Sequence, residues 1–429
     1  MIEQLHAIAD GKAVGILSWN RNSNQFRFVY DDEWIDSPNG YPLSLSMPMA
    51  GRQYSHKVVS AFIEGLLPDN SIVLDEWAKR FNVSAKNPFR LLAHVGEECA
   101  GAIQFVTPDR LREFSGESRG GIDWLDSGDL AHRIDLLMKN HGATRLGETE
   151  GQFSLAGAQP KIALFYDRKQ DRWGIPSGLM PTTHILKPSG SDLNGHAENE
   201  HFCLKLAEKL GFPTAKSDVK TLGGRSVIVV ERYDRIETAE GVRRIHQEDM
   251  CQSLACDPGL KYQREGGPSP EQIIKHILGN SSSPVKDQER FIDALIFNFL
   301  IGGTDAHAKN YSFLIAAGGQ VRLAPLYDIA SVFPYKHLYN ERKTRLAMKI
   351  GGKYKFSEIG EAAWRKAASE WQINEKKLFS KIQEISGRIV NLSKSVHEEM
   401  KESGIDHEVV EGIPALIASH AEREAFRLA

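Results

Sequence analysis

The sequence has few cysteines, no signal-peptide pattern and no long apolar run, and each absence excludes some classes of protein. Its four cysteines form no CxxC pair and show no zinc-type spacing, so we expect reduced thiols in a cytoplasmic protein, without a disulfide between Cys251 and Cys256. The first residues lack the basic start and apolar core of a signal peptide. No segment reaches the ~18–20 apolar residues that span a bilayer, and we expect no membrane association.

An excess of charge of either sign is also missing. Lys plus Arg (53) almost balance Asp plus Glu (56), which leaves a net charge of −3. This balance excludes a general basic field for binding nucleic acid over the whole surface. Hydrophobic residues make up 41% and charged residues 25%, which is typical of a soluble globular protein. A length of 429 residues predicts two or three domains.

The most informative motif is the polar run at residues 303–310. Within it Asp305 precedes Asn310 by five positions, and Asp328 follows Asn310 by eighteen. Kinase catalytic loops use such a set: the first Asp accepts the proton of the attacking hydroxyl, and the Asn and second Asp bind Mg²⁺ on ATP. Lys309 is placed to stabilise the charge of the transferred phosphate. The alternative is a polar turn that follows a buried helix.

Two charged residues upstream have the pattern of a kinase lysine–glutamate pair. Alternation along the strand pattern 184–187 turns Lys187 to the same face as the apolar residue two positions before it. On the helix pattern 197–210, Glu200 lies within about 60° of the apolar face, whereas Glu198 points away. An inward acid needs a cation, and Lys187 supplies one. The alternatives are an edge-strand lysine that discourages aggregation and acids that favour a helix N-terminus.

Two further segments fit a nucleotide site. Residues 153–161 precede a strand pattern and are rich in small side chains, which let backbone N–H groups approach phosphate oxygens. Residues 229–235 carry an apolar strand into a charged segment, as at a kinase hinge whose backbone hydrogen-bonds adenine. The alternatives are a plain turn for the first segment and an ordinary strand exit for the second. Asp249 and its neighbours precede a helix pattern and are expected to cap it.

The order of elements gives the fold class. Strand patterns occur at 13–19, 25–30, 41–48, 100–105, 161–166, 184–187 and 226–231, and helix patterns at 58–67, 88–95, 197–210, 291–301, 359–371 and 375–396. Residues 108–129 are predicted to be a linker. We predict an α+β, bilobal, protein-kinase-like fold with a β-rich N-terminal part and an all-helical C-terminal lobe. The predicted domains are 1–110, 111–240 and 241–429.

Six motifs in the same order give the chain a resemblance to HipA-type toxin kinases of toxin–antitoxin systems. They lie at residues 154–161, 183–187, 198–200, 231–235, 247–252 and 304–310, and the segments 42–48 and 65–69 resemble the first subdomain of that family. The likeness covers roughly residues 8–390. It implies a small N-terminal subdomain, a kinase N-lobe with phosphate loop and hinge, and a helical C-lobe with the catalytic loop.

The resemblance also implies a role for each site residue. Asp305 becomes the catalytic base, Asn310 and Asp328 the metal ligands, Lys187 the phosphate contact and Glu200 its partner. Ser154 matches a serine that members of the family autophosphorylate. The ATP-binding residues implied by the resemblance are Ala156, Gly157, Ala158, Gln159, Pro160, Lys161, Lys187, Glu231, Arg232, Tyr233, His307, Ala308, Lys309, Asn310, Tyr327 and Asp328.

The function implied by the resemblance is that of a bacterial serine/threonine protein kinase that uses ATP and Mg²⁺. Its protein substrate would be of the aminoacyl-tRNA synthetase class, with glutamyl-tRNA synthetase the best-known example, whose phosphorylation stalls translation. The resemblance also implies a HipB-type antitoxin as partner, and operator DNA reached through that antitoxin. A phosphate on Ser154 would repel the ATP phosphates and switch the enzyme off. Two alternatives remain open: a small-molecule phosphotransferase of the aminoglycoside-kinase type, and a non-catalytic ATP-binding scaffold in an operator complex.

Overall fold

A computed structural model describes residues 2–114, 120–139, 157, 159–190, 193–340 and 342–427. Their N-terminal part contains the strands β1 (Ile2–Ala9), β2 (Lys12–Asn20), β3 (Gln25–Tyr30), β4 (Gln53–Ser55) and β5 (Gln104–Val106), and the helices α1 (Asp32–Asp36), α2 (His56–Gly65), α3 (Ser71–Phe81), α4 (Pro88–Val95) and α5 (Leu111–Phe114). The strands form one antiparallel sheet in the order β4-β3-β2-β1-β5. The helices α2, α3 and α4 bury apolar residues against it and form a core of their own.

A second sheet lies C-terminal to the first. Its strands are β6 (Ile122–Leu125), β7 (Ile162–Asp167), β8 (Arg172–Pro176), β9 (His184–Pro188), β10 (Ser217–Leu222) and β11 (Arg225–Glu231), and its helices are α6 (Ser127–Lys139) and α7 (His196–Lys209). The strand order is β10-β11-β9-β7-β8-β6. Antiparallel pairing of β9 with β11 sets Lys187 opposite Ile228 and His184 opposite Glu231. This register fixes Lys187 near the middle of the sheet, one strand away from the predicted hinge.

The remaining chain is mainly helical. It contains β12 (Arg235–Thr238), β13 (Gly241–Arg244), β14 (His246–Asp249), α8 (Met250–Ser253), α9 (Pro270–Asn280), α10 (Pro284–Ile301), β15 (Ser312–Ala316), β16 (Gln320–Leu323), β17 (Arg345–Ile350), β18 (Lys353–Lys355), α11 (Glu361–Glu370), α12 (Glu375–Glu402) and α13 (Glu408–Arg427). The largest apolar core lies here and includes residues of α7, α10, α12 and α13. In the described part of the chain, no helix is both long and apolar enough to cross a membrane.

The α+β, bilobal fold class is confirmed, with differences in detail. The C-terminal lobe is not entirely helical, because β14, β15 and β16 form a small sheet that bears the catalytic loop. Residues 41–48 are not a strand: they form only an isolated bridge, and the Ser44 and Ser46 hydroxyls donate to the Gln252 carbonyl instead. The predicted linker at 108–129 holds α5, β6 and the start of α6. All four cysteines are free thiols, as expected.

Candidate active site

The catalytic loop begins where the buried helix α10 ends. Gly302 stops the helix with a left-handed φ of 73°, and its N–H donates to the carbonyls of Asn298 and Phe299. The Asp305 carbonyl then accepts from the Asn310 side-chain amide at 2.8 Å and from the His307 N–H at 2.8 Å. These two hydrogen bonds close the loop on itself, so Asp305 and Asn310 are held on one short, ordered turn.

Lys187 joins the two lobes through a pair of carboxylates. Its ammonium group lies 2.8 Å from a carboxylate oxygen of Glu200 on α7 and 2.7 Å from one of Asp328 in the C-terminal lobe. Lys187 and Glu200 are both buried, whereas the Asp328 side chain keeps about a third of its surface exposed (35%). Glu200 therefore points inward, as predicted, because its carboxylate pairs with the Lys187 ammonium group.

The expectation for Glu198 was wrong. Its side chain is buried too, and it accepts a hydrogen bond from the Ser226 hydroxyl on β11. Helix α7 contacts the sheet on one side and α12 and α13 on another, so it has no fully solvated face at its N-terminal turn. Helical periodicity alone does not show which helices are covered on several sides.

Electrostatics keep Lys187 and Asp328 ionised. Burial raises the pKa of Asp328, but the Lys187 and Lys161 ammonium groups outweigh that effect and hold the pKa well below its ordinary value. Burial lowers the pKa of Lys187, but Asp328 and Glu200 more than compensate and raise it above its ordinary value. At neutral pH Lys187 is therefore cationic and Asp328 anionic.

A cavity of about 790 Å³ lies between the lobes and collects the predicted residues. This volume is in the range that binds a nucleotide-sized ligand. Ile185 and Lys187 both line it, as strand alternation predicted. Of the predicted site residues, those that line the cavity are Gly157, Gln159, Pro160, Lys161, Lys187, Glu200, Glu231, Arg232, Tyr233, Asp305, His307, Lys309, Asn310, Tyr327 and Asp328. Ala308 is buried behind the loop.

The predicted phosphate loop lies only partly within the described residues. Ser154, Ala156 and Ala158 fall outside them. Gly157 has a φ of 112°, a backbone conformation that residues with a side chain rarely adopt, which favours glycine at this position. Burial lowers the pKa of Lys161 to about 8 although Asp328 opposes the effect. Lys161 thus lines the cavity together with Lys187.

The predicted hinge is held by a set of buried hydrogen bonds and ion pairs. The Arg232 guanidinium is buried and donates to Glu98, Asp234 and the Thr182 hydroxyl. These contacts occupy its side chain, and its backbone is engaged as well, because its carbonyl accepts the Arg235 N–H at 3.2 Å. Its N–H donates to the Thr183 carbonyl at 2.9 Å. The side chain of Glu231 pairs with Arg168, with both side chains partly exposed.

Two tyrosines form the cavity wall between hinge and catalytic loop. The rings of Tyr233 and Tyr327 lie 5.4 Å apart. The Tyr327 hydroxyl donates to the Lys309 carbonyl at 2.7 Å and lies 2.6 Å from the Ser312 hydroxyl, whereas Tyr233 donates to the side chain of Gln247. These apolar rings offer a flat surface suited to a nucleobase.

Sequence reasoning missed three residues around the catalytic loop. The Tyr262 hydroxyl donates to an Asp305 carboxylate oxygen at 2.5 Å. Asp69, from the N-terminal part of the chain, pairs with Lys309 at 2.5 Å and with Lys261 at 2.7 Å. No local pattern links these positions, because each contact joins segments far apart in sequence. Burial lowers the pKa of His307, which favours a neutral imidazole beside them at neutral pH.

The donor set suits a hard cation shared with phosphate. Asn310 and Asp328 offer an amide oxygen and a carboxylate, which are ligands that Mg²⁺ accepts. No group of three or more His, Cys, Asp or Glu side chains in the described residues is placed to hold a metal. Mg²⁺ commonly takes one or two protein ligands and completes its shell with water and substrate phosphates. The residues present therefore fit a Mg²⁺–nucleotide complex rather than a cage made only of protein.

Comparison with known proteins places the chain in a family. A family model described as "HipA-like C-terminal domain" matches residues 153–393, and one described as "HipA N-terminal domain" matches residues 5–106. The chain belongs to the HipA-like family. Among its relatives, a Sinorhizobium fredii protein named "Putative kinase Y4mE" is 34% identical over 373 residues, which is 84% of each chain.

A second relative of this chain is a toxin kinase of Shewanella oneidensis. The "Serine/threonine-protein kinase toxin HipA" is 30% identical over 354 residues, covering 80% of this chain and 77% of that protein. A solved complex of Shewanella oneidensis HipA with HipB and operator DNA matches with a TM-score of 0.84 at 25% identity. The match covers 99% of this chain and 98% of that chain. The fold of this chain is therefore the fold of HipA.

Proposed function

We propose that this HipA-like protein is an ATP- and Mg²⁺-dependent serine/threonine protein kinase. One observation carries the proposal: Lys187 bridges Glu200 and Asp328 on a cavity that also contains Asp305 and Asn310. A lysine held by a helix glutamate, a metal-binding Asp and Asn, and a separate Asp for the acceptor are the parts that kinases use. The relatives named as kinases, and HipA as a serine/threonine kinase, support the same conclusion.

Each residue receives a role on this proposal. Asp305 accepts the proton of the attacking hydroxyl, and Lys187 neutralises phosphate charge. Asn310 and Asp328 would hold Mg²⁺, which would supply positive charge beside the phosphates. The phosphate loop is assigned to residues 156–161. The hinge at Glu231, Arg232 and Tyr233 receives adenine, while His307, Ala308, Lys309 and Tyr327 shape the cavity beside it.

The proposal extends to substrate and partners. The proposed substrate is a protein of the aminoacyl-tRNA synthetase class, such as glutamyl-tRNA synthetase, and its modification would arrest growth by stopping translation. The proposed partner is a HipB-type antitoxin that reaches operator DNA, and the HipA–HipB–operator complex of the structural relative supports it. Autophosphorylation of Ser154 is proposed to inactivate the enzyme. The three-domain division at 110 and 240 and the cytoplasmic location are also proposals.

The decisive experiment measures phosphate transfer by purified protein. Wild type and Asp305→Asn are incubated with Mg²⁺ and γ-labelled ATP and a cell extract, and phosphorylated proteins are identified by mass spectrometry. Removal of a general base costs about 10²–10⁴-fold in rate, so we expect the variant to lose labelling of serine and threonine while still binding ATP. Equal labelling by the two proteins would reject the assignment of Asp305.

The same assay distinguishes the alternative functions. A small-molecule phosphotransferase would label metabolites in a protein-free extract and leave serine residues unlabelled. A non-catalytic scaffold would bind ATP without releasing ADP above the level of the Asp305→Asn variant. The presence of Asp305 beside Lys187, Glu200 and Asp328 favours catalysis. ATP binding alone does not need a base at Asp305.

A further inference from the structure

Tyr262 is attached to the catalytic loop at several points. Its hydroxyl lies 2.5 Å from an Asp305 carboxylate oxygen, and its ring meets the His307 ring edge-on at 5.0 Å between centroids. The preceding Lys261 carbonyl accepts the Ala308 N–H at 3.3 Å. The Tyr262 carbonyl accepts the N–H groups of Glu265 and Gly267, which folds the following residues into a compact turn. The hydroxyl is therefore held in place by the backbone around it.

This contact is the one that an acceptor hydroxyl must make. A hydroxyl that attacks a phosphoryl group needs a base within about 2.6–3.2 Å to take its proton. On the proposed function that base is Asp305, and the group already donating to it is a hydroxyl of the same chain. Tyr233 and Tyr327 also line the cavity, but their hydroxyls bond to Gln247, to Ser312 and to the Lys309 carbonyl.

We propose that Tyr262 is a phosphoryl acceptor, so that the protein modifies its own tyrosine with ATP. The Tyr262 phenolic oxygen attacks the γ-phosphorus and forms an O–P bond. The bond from the γ-phosphorus to the β,γ-bridging oxygen breaks, ADP leaves with that electron pair, and the phenolic proton passes to Asp305. The inference rests on the proposed kinase function and names a modification site distinct from Ser154.

The surroundings of Tyr262 suit this role. Burial and the Asp305 charge raise the pKa of the phenol, so the hydroxyl is protonated at neutral pH and requires a base to react. The side chain is only half-buried, so its segment has solvent on one side. A phosphate carries nearly two negative charges at pH 7 and would be repelled by the Asp305 carboxylate. Modification would therefore release Tyr262 from the catalytic loop.

The experiment localises phosphate on the intact protein after incubation with Mg²⁺ and ATP. Trypsin would leave Tyr262 in a three-residue peptide between Lys261 and Arg264, which is too short to assign. Cleavage before aspartate instead gives the peptide 257–286, in which Tyr262 is the single tyrosine. We expect phosphate on Tyr262 in wild type and a loss of about 100-fold or more in Asp305→Asn. A rate independent of protein concentration marks transfer within one chain.

Two variants give the control. Tyr262→Phe should lose the phosphate on peptide 257–286, which assigns that label to the tyrosine rather than to a serine of the same peptide. Tyr166 also donates to a carboxylate, Asp171 at 2.5 Å, but does so outside the cavity, so Tyr166→Phe should leave Tyr262 labelling unchanged. Phosphate on serines or threonines with none on Tyr262 overturns the inference while the kinase function stands. If no residue is labelled and no ADP forms, both fail together.

Discussion

Asp69 holds the ammonium group of Lys309 at 2.5 Å across 240 positions of the chain. The other carboxylate oxygen of Asp69 binds Lys261 at 2.7 Å, and its backbone N–H donates to the Gly157 carbonyl at 3.2 Å. A single acid from the N-terminal part therefore contacts the catalytic loop, the segment that carries Tyr262, and the proposed phosphate loop. The N-terminal sheet and helices are thus attached to the candidate site itself.

Asp69→Asn is expected to weaken this attachment. The substitution leaves two largely buried lysines without their carboxylate, and breaking a buried ion pair costs about 3–5 kcal/mol. Because Asp69 keeps some solvent exposure, we expect a loss of about 3 kcal/mol in the free energy of unfolding, measured by urea denaturation at pH 7. The exposed acid Asp36, changed to Asn, is the control and should shift the midpoint little.

The pH dependence of this loss is set by the direction of the pKa shift. Burial raises the pKa of Asp69, but Lys309 and Lys261 outweigh it and hold the pKa below its ordinary value. The contribution is therefore complete above about pH 4, where the unfolded carboxyl ionises, and declines as the pH falls through the folded-state pKa. Wild type and Asp69→Asn should converge in stability below pH 4. A constant difference down to pH 2 would contradict the ion-pair explanation.

Local patterns explain how much of the site was predictable. Asp305 and Asn310 lie on one turn, and the periodicity of α7 predicts that Glu200 points inward. Neighbouring positions in the sequence were therefore enough to predict both placements. The contacts of Asp69 with Lys309 and of Tyr262 with Asp305 span 240 and 43 positions, and no periodicity encodes them. The resemblance supplied roles for single residues but not the neighbours that hold them.

For the fold, too, features encoded in local sequence patterns were predicted, and several others were not. Long, strongly periodic segments such as α10 and α12 were recognised, whereas β1, β6 and the short strands β14 to β16 were not predicted. Four or five residues, as in β6 and β14 to β16, carry too little alternation to distinguish a strand from a loop, but this reason does not apply to the eight-residue β1. Residues 41–48 alternate like a strand, yet their hydrogen bonds go to Gln252 and Glu248 across the lobes. Tertiary contacts outweighed local propensity there.

Lys187→Met should separate two functions of one side chain. It removes the ammonium group between Glu200 and Asp328, although Lys161 still acts on Asp328, so we expect a loss of about 3 kcal/mol in stability and a large loss of ATP affinity. Adding Glu200→Gln removes one of the stranded charges and should restore part of the stability without restoring ATP binding. Urea denaturation and ATP titration by calorimetry measure the two effects. If the double variant recovered ATP affinity as well, Lys187 would have only a structural role.

Glu98 offers a test of how the N-terminal part supports the hinge. Its carboxylate accepts from Arg232 at 2.9 Å and Arg235 at 2.7 Å, and it also pairs with Arg244, all in a buried site. Glu98→Gln should therefore cost about 3–5 kcal/mol of unfolding free energy.

Arg168 provides the matched control for that substitution. Its pair with Glu231 is partly exposed, so Arg168→Gln is expected to cost no more than about 1 kcal/mol. Urea denaturation of the two variants under the same conditions measures the contrast. Similar losses in both would show that burial does not decide the strength of these pairs.

His201 is expected to make the protein sensitive to mild acid. Burial lowers the pKa of His201 to about 4, and its ring nitrogen lies 2.9 Å from the Ser217 hydroxyl. A histidine whose folded pKa lies below its unfolded value of about 6.5 stays neutral while the unfolded chain takes up a proton. Stability should thus fall as the pH drops from about 6.5 towards 4, at up to about 1.4 kcal/mol per pH unit for this group.

His201→Gln should have a shallower pH dependence of its urea midpoint than wild type, because one proton no longer distinguishes the folded from the unfolded state. Parallel curves for the two proteins between pH 7 and 4 would mean that His201 titrates normally in the folded chain.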